Sequence, residues 1–324
     1  MPTSNLDALT RRFKRDGTEL VIVRPVLALT LYSIAPLPAV MSAAADVLES
    51  YLGFVPEGSV ASLFDDTGDE SAPAELLPFD ADAQRELLDR LRAGPDLDDD
   101  ENQGFSLFGT ADGQAGEHGF HFAGIDREQV DEADDDTSML RLELPWDLPA
   151  QGGADAVVAF IAQAAGVFPF CCGNAGLSFS YAAVATEQAI DTLQKLLPRY
   201  AGFDSMYGAA YLKMRDKSPP AHWINLLDGH LVEALGGKKV LRSVLAGCQL
   251  QGVGKGLMVR AARVPPVVDV NWQGTDIGRL PDVARAILPV RLDAGMFTPM
   301  GNEERGLAWL ARFDALTSGD WNNG

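Results

Sequence analysis

Apolar positions follow two rhythms along the chain. Glu19 to Tyr32 is rich in Val, Ile and Leu and predicts a strand. Pro36-Leu-Pro38 then marks a turn or helix start, and Val40, Ala44, Val47, Leu48 and Tyr51 recur at spacings of three and four. That spacing predicts a helix over Ala39–Leu52, ended by Gly53. Residues 56–104 are rich in Pro, Gly and Asp, with one helix over Ala81–Arg92 whose apolar stripe is Leu87, Leu88 and Leu91. Phe105–Ile125 alternates aromatics with Gly and predicts one or two strands. Met139–Trp146 alternates apolar and polar residues and predicts another.

The second half repeats the mixture. Helices are expected at Ala154–Ala165, at Thr186–Leu197 with Thr as the N-cap, within Pro220–Leu235 up to the Gly236-Gly237 stop, and at Val240–Leu245, Leu280–Ile287 and Asn302–Phe313. Strands are expected at Gly176–Tyr181 and Gly256–Ala262. Tyr32, Tyr51, Gly53 and Phe54 reappear as Tyr181, Tyr200, Gly202 and Phe203 at a constant offset of 149 residues, an echo that suggests two related halves. Pro25–Ala45 carries no charge and approaches the ~20 residues of a membrane helix. Three prolines and the strand-like Leu27–Tyr32 make strand, turn and helix the better reading.

Charge changes the picture more than hydropathy does. The 324 residues carry 46 acids and 26 bases, a net of -20. Residues 61–150 hold 25 acids and 5 bases, so this segment accounts for the whole imbalance. A surface of that sign repels nucleic acid phosphates and favours basic partners. The acids cluster in three runs, Asp65–Glu70, Asp96–Glu101 and Asp131–Asp136. Such runs are either solvated loops or a surface that pairs with Lys and Arg on a partner.

The residues that usually carry chemistry do not assemble into a motif. Gly252-Val-Gly-Lys-Gly256 lacks both the following helix and the Ser or Thr of a phosphate loop, and reads as a hairpin turn. His118 and His121 alternate across a strand or an exposed loop and have no second ligand pair. His222 and His230 read as structural, and Gly176-Leu-Ser-Phe-Ser180 lacks the final Gly of a nucleophile elbow. Cys171, Cys172 and Cys248 form no disulfide framework or metal spacing, which fits a reducing compartment.

Four segments carry a family resemblance: Cys171–Tyr181, Trp223–Gly237, Gly256–Ala262, and the closing pair Asp269-Val-Asn271 and Leu288-Pro-Val-Arg291. Through them the region from Pro169 to Phe313 resembles the TsiV-like family of type VI secretion immunity proteins, in which Trp223–Gly237 would be the most recognisable helix. The resemblance implies an inhibitor that binds and neutralises a cognate effector toxin, encoded by a neighbouring gene. Some family members stand beside nuclease toxins.

The expectation is therefore an α+β protein with two related lobes, each a mixed or mostly antiparallel sheet with helices packed against it. Residues 1–150 would form an N-terminal lobe with acidic insertions at about 56–136, and 151–324 a C-terminal lobe. No enzyme activity, catalytic residue, cofactor, metal, nucleic acid or membrane contact is expected, and the location expected is cytoplasmic. The candidate toxin-binding residues are Asp65, Asp66, Asp69, Glu70, Asp98, Asp99, Asp100, Glu101, Asp131, Glu132, Asp134, Asp135 and Asp136. The competing readings are an enzyme with an unrecognised pocket near His222 and His230, and an adaptor of a secretion apparatus.

Overall fold

A computed structural model describes residues 6–66, 76–95, 102–125, 136–204, 214–271, 276–293 and 302–316, without the side chains of 65, 66 and 102. The spine is β2 (Thr18–Ser33), whose apolar run leaves most of its length buried. β1 (Arg11–Arg15) folds back onto it through Asp16 and Gly17, both at positive φ (50° and 85°), as an Asp-Gly type I′ turn requires.

After Pro36 the chain enters α1 (Leu37–Phe54), which buries the five positions that predicted it. The helix runs past Gly53, where a stop was expected. Phe54 stacks on Phe160 at 4.5 Å, and the turn ends only at Val55, held extended (ψ 155°) by the proline that follows.

The Pro/Gly/Asp-rich region contains two strands that its composition hid, β3 (Ser62–Asp66) and β4 (Leu76–Pro78). Next come α2 (Ala81–Ala93), β5 (Asn102–Phe108), β6 (Gly119–Ile125), β7 (Ser138–Pro145) and α3 (Ala154–Val167), close to expectation. Asp80 caps α2 by accepting from the Asp82 and Ala83 amides, each at 3.0 Å.

In the second half, β8 (Cys172–Tyr181) precedes α4 (Thr186–Leu196). Thr186 does not cap α4: it is the first helical residue, and its hydroxyl donates back to the Ala183 carbonyl at 3.1 Å. The helix expected across Pro220–Leu235 is in fact β9 (Ile224–Leu227) followed by the short α5 (Gly229–Ala234). Ile-Asn-Leu-Leu is buried throughout, and Asp228 starts the helix only afterwards by accepting from the Leu231 amide at 2.8 Å. Gly236 and Gly237, at φ 90° and 85°, stop α5 as expected and begin α6 (Gly237–Val244). The chain closes with the hairpin β10 (Gln249–Val253) and β11 (Gly256–Arg260), then α7 (Leu280–Ile287) and α8 (Glu303–Leu310).

The strands join one antiparallel sheet in the order β10-β11-β9-β8-β2-β7-β6-β5-β3-β4, with β1 on β2. Two apolar cores lie against it. α1, α2 and α3 belong to one, and α4 to α8 to the other. Neighbouring residues such as Leu226 and Leu227, or Leu257 and Met258, enter different cores, as alternation across a sheet demands. The class is thus α+β, and the two echoing strand–helix units share a sheet rather than owning one each. Their strands β2 and β8 are paired neighbours, while α1 and α4 enter different cores.

Candidate functional site

The ladder register brings together the strand ends that the acidic runs precede or follow in the sequence. β3 ends with Asp66 opposite Gly104 of β5, and β5 begins with Asn102 opposite Ile125, the last residue of β6. Ala123 of β6 in turn faces Met139, near the start of β7. At about 4.8 Å per strand spacing, these strand ends lie within roughly 15 Å of one another. The connections leaving from them carry the three acidic runs.

Of the thirteen candidate residues, Asp65 and Asp66 are placed by their backbone at the end of β3, and Asp136 is half-buried just before β7. Asp69, Glu70, Asp98, Asp99, Asp100, Glu101, Asp131, Glu132, Asp134 and Asp135 lie outside the described residues.

A second constellation sits inside the protein, and the sequence reading missed it. Arg141 and Glu143 occupy alternate positions of β7 and are 0% and 1% exposed. The Arg141 Nε donates to the Glu143 carboxylate at 3.0 Å, and its Nη2 donates to the Ser178 hydroxyl at 3.0 Å and the Phe179 carbonyl at 3.3 Å. Ser178 donates to the Asp204 carbonyl at 3.2 Å, and Asn174 to the Asp204 carboxylate at 3.1 Å. Burial pushes the Glu143 carboxyl up, but Arg141 and a hydrogen bond from His121 outweigh it and hold it at about 2. On the other side of this strand, the buried Tyr51 hydroxyl donates to the Glu143 carbonyl at 2.9 Å and accepts from the Gly119 amide at 3.1 Å.

The histidines divide. His121 is buried in β6 with Nε2 3.9 Å from the Glu143 carboxylate, not exposed as the sequence suggested. His118 is half-buried in the turn before β6, with its pKa lowered by burial. His222 is buried before β9, accepts from the Trp223 amide at 3.1 Å, and is pushed by burial to about 4, so it is neutral at pH 7. Its ring packs on Gly176, where even a Cβ would stand 2.1 Å from Nδ1. His230 is exposed on α5, so the two histidines considered for an enzyme site do not share one environment.

Two of the three clefts described are a groove of about 700 Å³ between the end of α1 and the start of α2, and one of about 320 Å³ lined by Arg24, Gln114 and His118. Neither these nor the third, on α2, includes His222 or the Arg141–Glu143 pair. Cys171 and Cys172 are buried free thiols, and burial raises Cys172 well above the usual thiol range. Among the described residues, no group of His, Cys, Asp and Glu is placed to hold a metal ion, and no helix is long and apolar enough to cross a membrane.

Arg141 and Glu143 were invisible as a site because their strand alternates. Polar residues at every second position read as a solvated face, and only the second core shows that this face is covered.

Residues 80–313 match the family described as type VI immunity for VRR-NUC. The fold is similar to that of a type VI secretion system protein of Pseudomonas aeruginosa. The TM-score is 0.74 at 17% identity, over 94% of this chain and 86% of that one, a likeness of fold alone. No curated protein sequence matches the chain.

Proposed function

This chain belongs to the TsiV family of type VI immunity proteins, and from that premise we propose that it binds and neutralises a cognate type VI effector toxin of the VRR-NUC kind. The effector is encoded by a neighbouring gene, and the protein acts in the cytoplasm without turnover of its own. The acidic end of the sheet covers the toxin's basic, nucleic-acid-binding surface.

One observation supports this reading: the ends of β3, β5, β6 and β7 that precede or follow the three acidic runs in the sequence are neighbours in one sheet. A nuclease must present cations to a phosphate backbone. A concentration of carboxylates competes for those cations, steers the encounter and accelerates association at low salt.

Co-expression with the neighbouring gene product tests the reading at two levels. Relief of growth arrest together with a stable complex supports immunity, and neither effect would leave only the fold. Replacing Asp98, Asp99, Asp100 and Glu101 by Asn and Gln tests the surface. The expected result is association slowed about ten-fold at low salt, with a flatter salt dependence. Unchanged affinity and unchanged salt dependence would remove that loop from the interface.

A further inference from the structure

The groove between the end of α1 and the start of α2 is rich in acceptors. Its volume of about 700 Å³ falls within the ~300–1,000 Å³ usual for binding sites. Leu52, Val55, Val60 and Phe79 supply its apolar lining, the two valines buried and the other two half-buried. Its charged lining is Glu49, Glu57 and Asp80, with no base. Glu49 is tied to Arg92 at 2.6 Å. Glu57 and Asp80 are exposed, and among the described residues no base pairs with either. The two bases of the adjoining cleft on α2 are engaged, Arg85 with Asp82 at 2.6 Å and Arg92 with Glu49.

The backbone adds charge of the same sign. α1 ends at Phe54, and Pro56 has no N–H to give the Leu52 carbonyl four residues before it. The Val55 amide serves Tyr51 instead, and the chain there is already extended. Among the described residues, no donor reaches the carbonyls of Leu52 or Gly53, and both residues line the groove. Such carbonyls give a helix C-terminus about half a negative charge. The Asp80 carboxylate uses only Oδ1 to cap α2, which leaves Oδ2 free. Two unpaired carboxylates, two free carbonyls and no base make this groove short of donors.

We propose that this groove receives an arginine side chain and an apolar neighbour from a segment of the effector. A guanidinium presents donors and no acceptor, which complements this lining, and its stem packs on apolar surface such as Leu52 and Phe79. A nuclease carries such side chains for its phosphate contacts. The inference rests on the immunity reading and adds a second contact to it. The groove includes Val60, just before β3, whereas the first acidic run begins at the far end of that strand. At ~3.3 Å per residue the two are about 15 Å apart. A partner covering about 800 Å² of this chain is wide enough to reach both. The basic strand β1 of a second copy has similar chemistry, and the test separates it.

Three variants of the full chain test the groove. Glu57→Gln with Asp80→Asn removes its unpaired charges, and Asn at position 80 still caps α2. Gly53→Arg sets a competing guanidinium in the groove, where a Cβ meets no atom within 4 Å. Glu187→Gln with Asp191→Asn removes the same charge from exposed positions of α4, in the other core, as a control. Circular dichroism confirms that each is folded. Calorimetric titration with the purified product of the neighbouring gene, at several salt concentrations, gives the affinities. Both groove variants are expected to bind at least about ten-fold more weakly than the wild type, and the α4 pair within about two-fold. The double groove variant is also expected to show a flatter salt dependence. Wild-type binding that neither groove variant weakens overturns the groove and leaves the immunity reading standing. Equal weakening by the α4 pair overturns it too, because net charge would then be the cause. No binding by the wild type overturns both. A wild-type dimer in sedimentation that Gly53→Arg dissolves overturns the effector as occupant and assigns the groove to a second copy.

Discussion

Glu143→Gln keeps the shape of the side chain and removes its charge, so the buried Arg141 loses the carboxylate to which its Nε donates. Stripping one member from a buried ion pair costs about 3–5 kcal/mol, and the pair here is 0% and 1% exposed, so solvent does not screen it. The structure also fixes how that cost varies with pH. The Glu143 carboxyl falls from 4.5 to about 2 on folding. At about 1.36 kcal/mol per unit this shift stabilises the fold by about 3 kcal/mol. Because the folded value lies below the unfolded one, the contribution is fully present above pH 4.5 and is lost as the pH falls through 2. Urea unfolding of both proteins from pH 7 down toward pH 2 measures the difference. The other carboxylates titrate alike in both chains, so the comparison isolates this one. The stability gap is expected to be widest above pH 5 and to narrow by about 3 kcal/mol toward pH 2. A gap below about 1 kcal/mol at pH 7, or one that stays constant with pH, would refute the account.

Further outcomes follow from single positions. Gly176→Ala drives a Cβ to 2.1 Å from the His222 ring, and overpacking of this kind is expected to lower stability by about 1–3 kcal/mol in thermal or urea unfolding. The same change at Gly252, where the space is open, is expected to cost under about 1 kcal/mol. Asp80→Ala removes the acceptor of two amides at the start of α2. It should cost about 1 kcal/mol, read as a lower urea midpoint at unchanged slope, with Asp80→Asn nearly neutral.

The elements that were legible in the sequence are those whose signal is local. The stripe Val40, Ala44, Val47, Leu48, Tyr51 and the stripe Leu87, Leu88, Leu91 each became the buried face of a helix. The Gly252–Gly256 segment is the hairpin turn that its missing helix implied. The failures share a cause. Ile224–Leu227 lies in a stretch whose apolar spacing suits a helix, yet it is a strand because β8 and β11 stand on either side to pair with it. β3 and β4 were hidden in a polar region because their partners, not their own composition, hold them. The Thr186 hydroxyl satisfied a carbonyl behind it instead of the amides ahead.

The sequence by itself determined the α+β class, most helix stripes and the segregation of charge into residues 61–150. Each of these depends on residue type and on spacing within a few positions. The tertiary structure alone decided that three acidic runs, separate along the chain, leave from neighbouring strand ends, because register between strands is set by partners far apart in sequence. It also decided that Arg141 and Glu143 are buried. A strand presents its polar positions to one face whatever lies there, and only the packing of the second core determines whether that face meets water or protein.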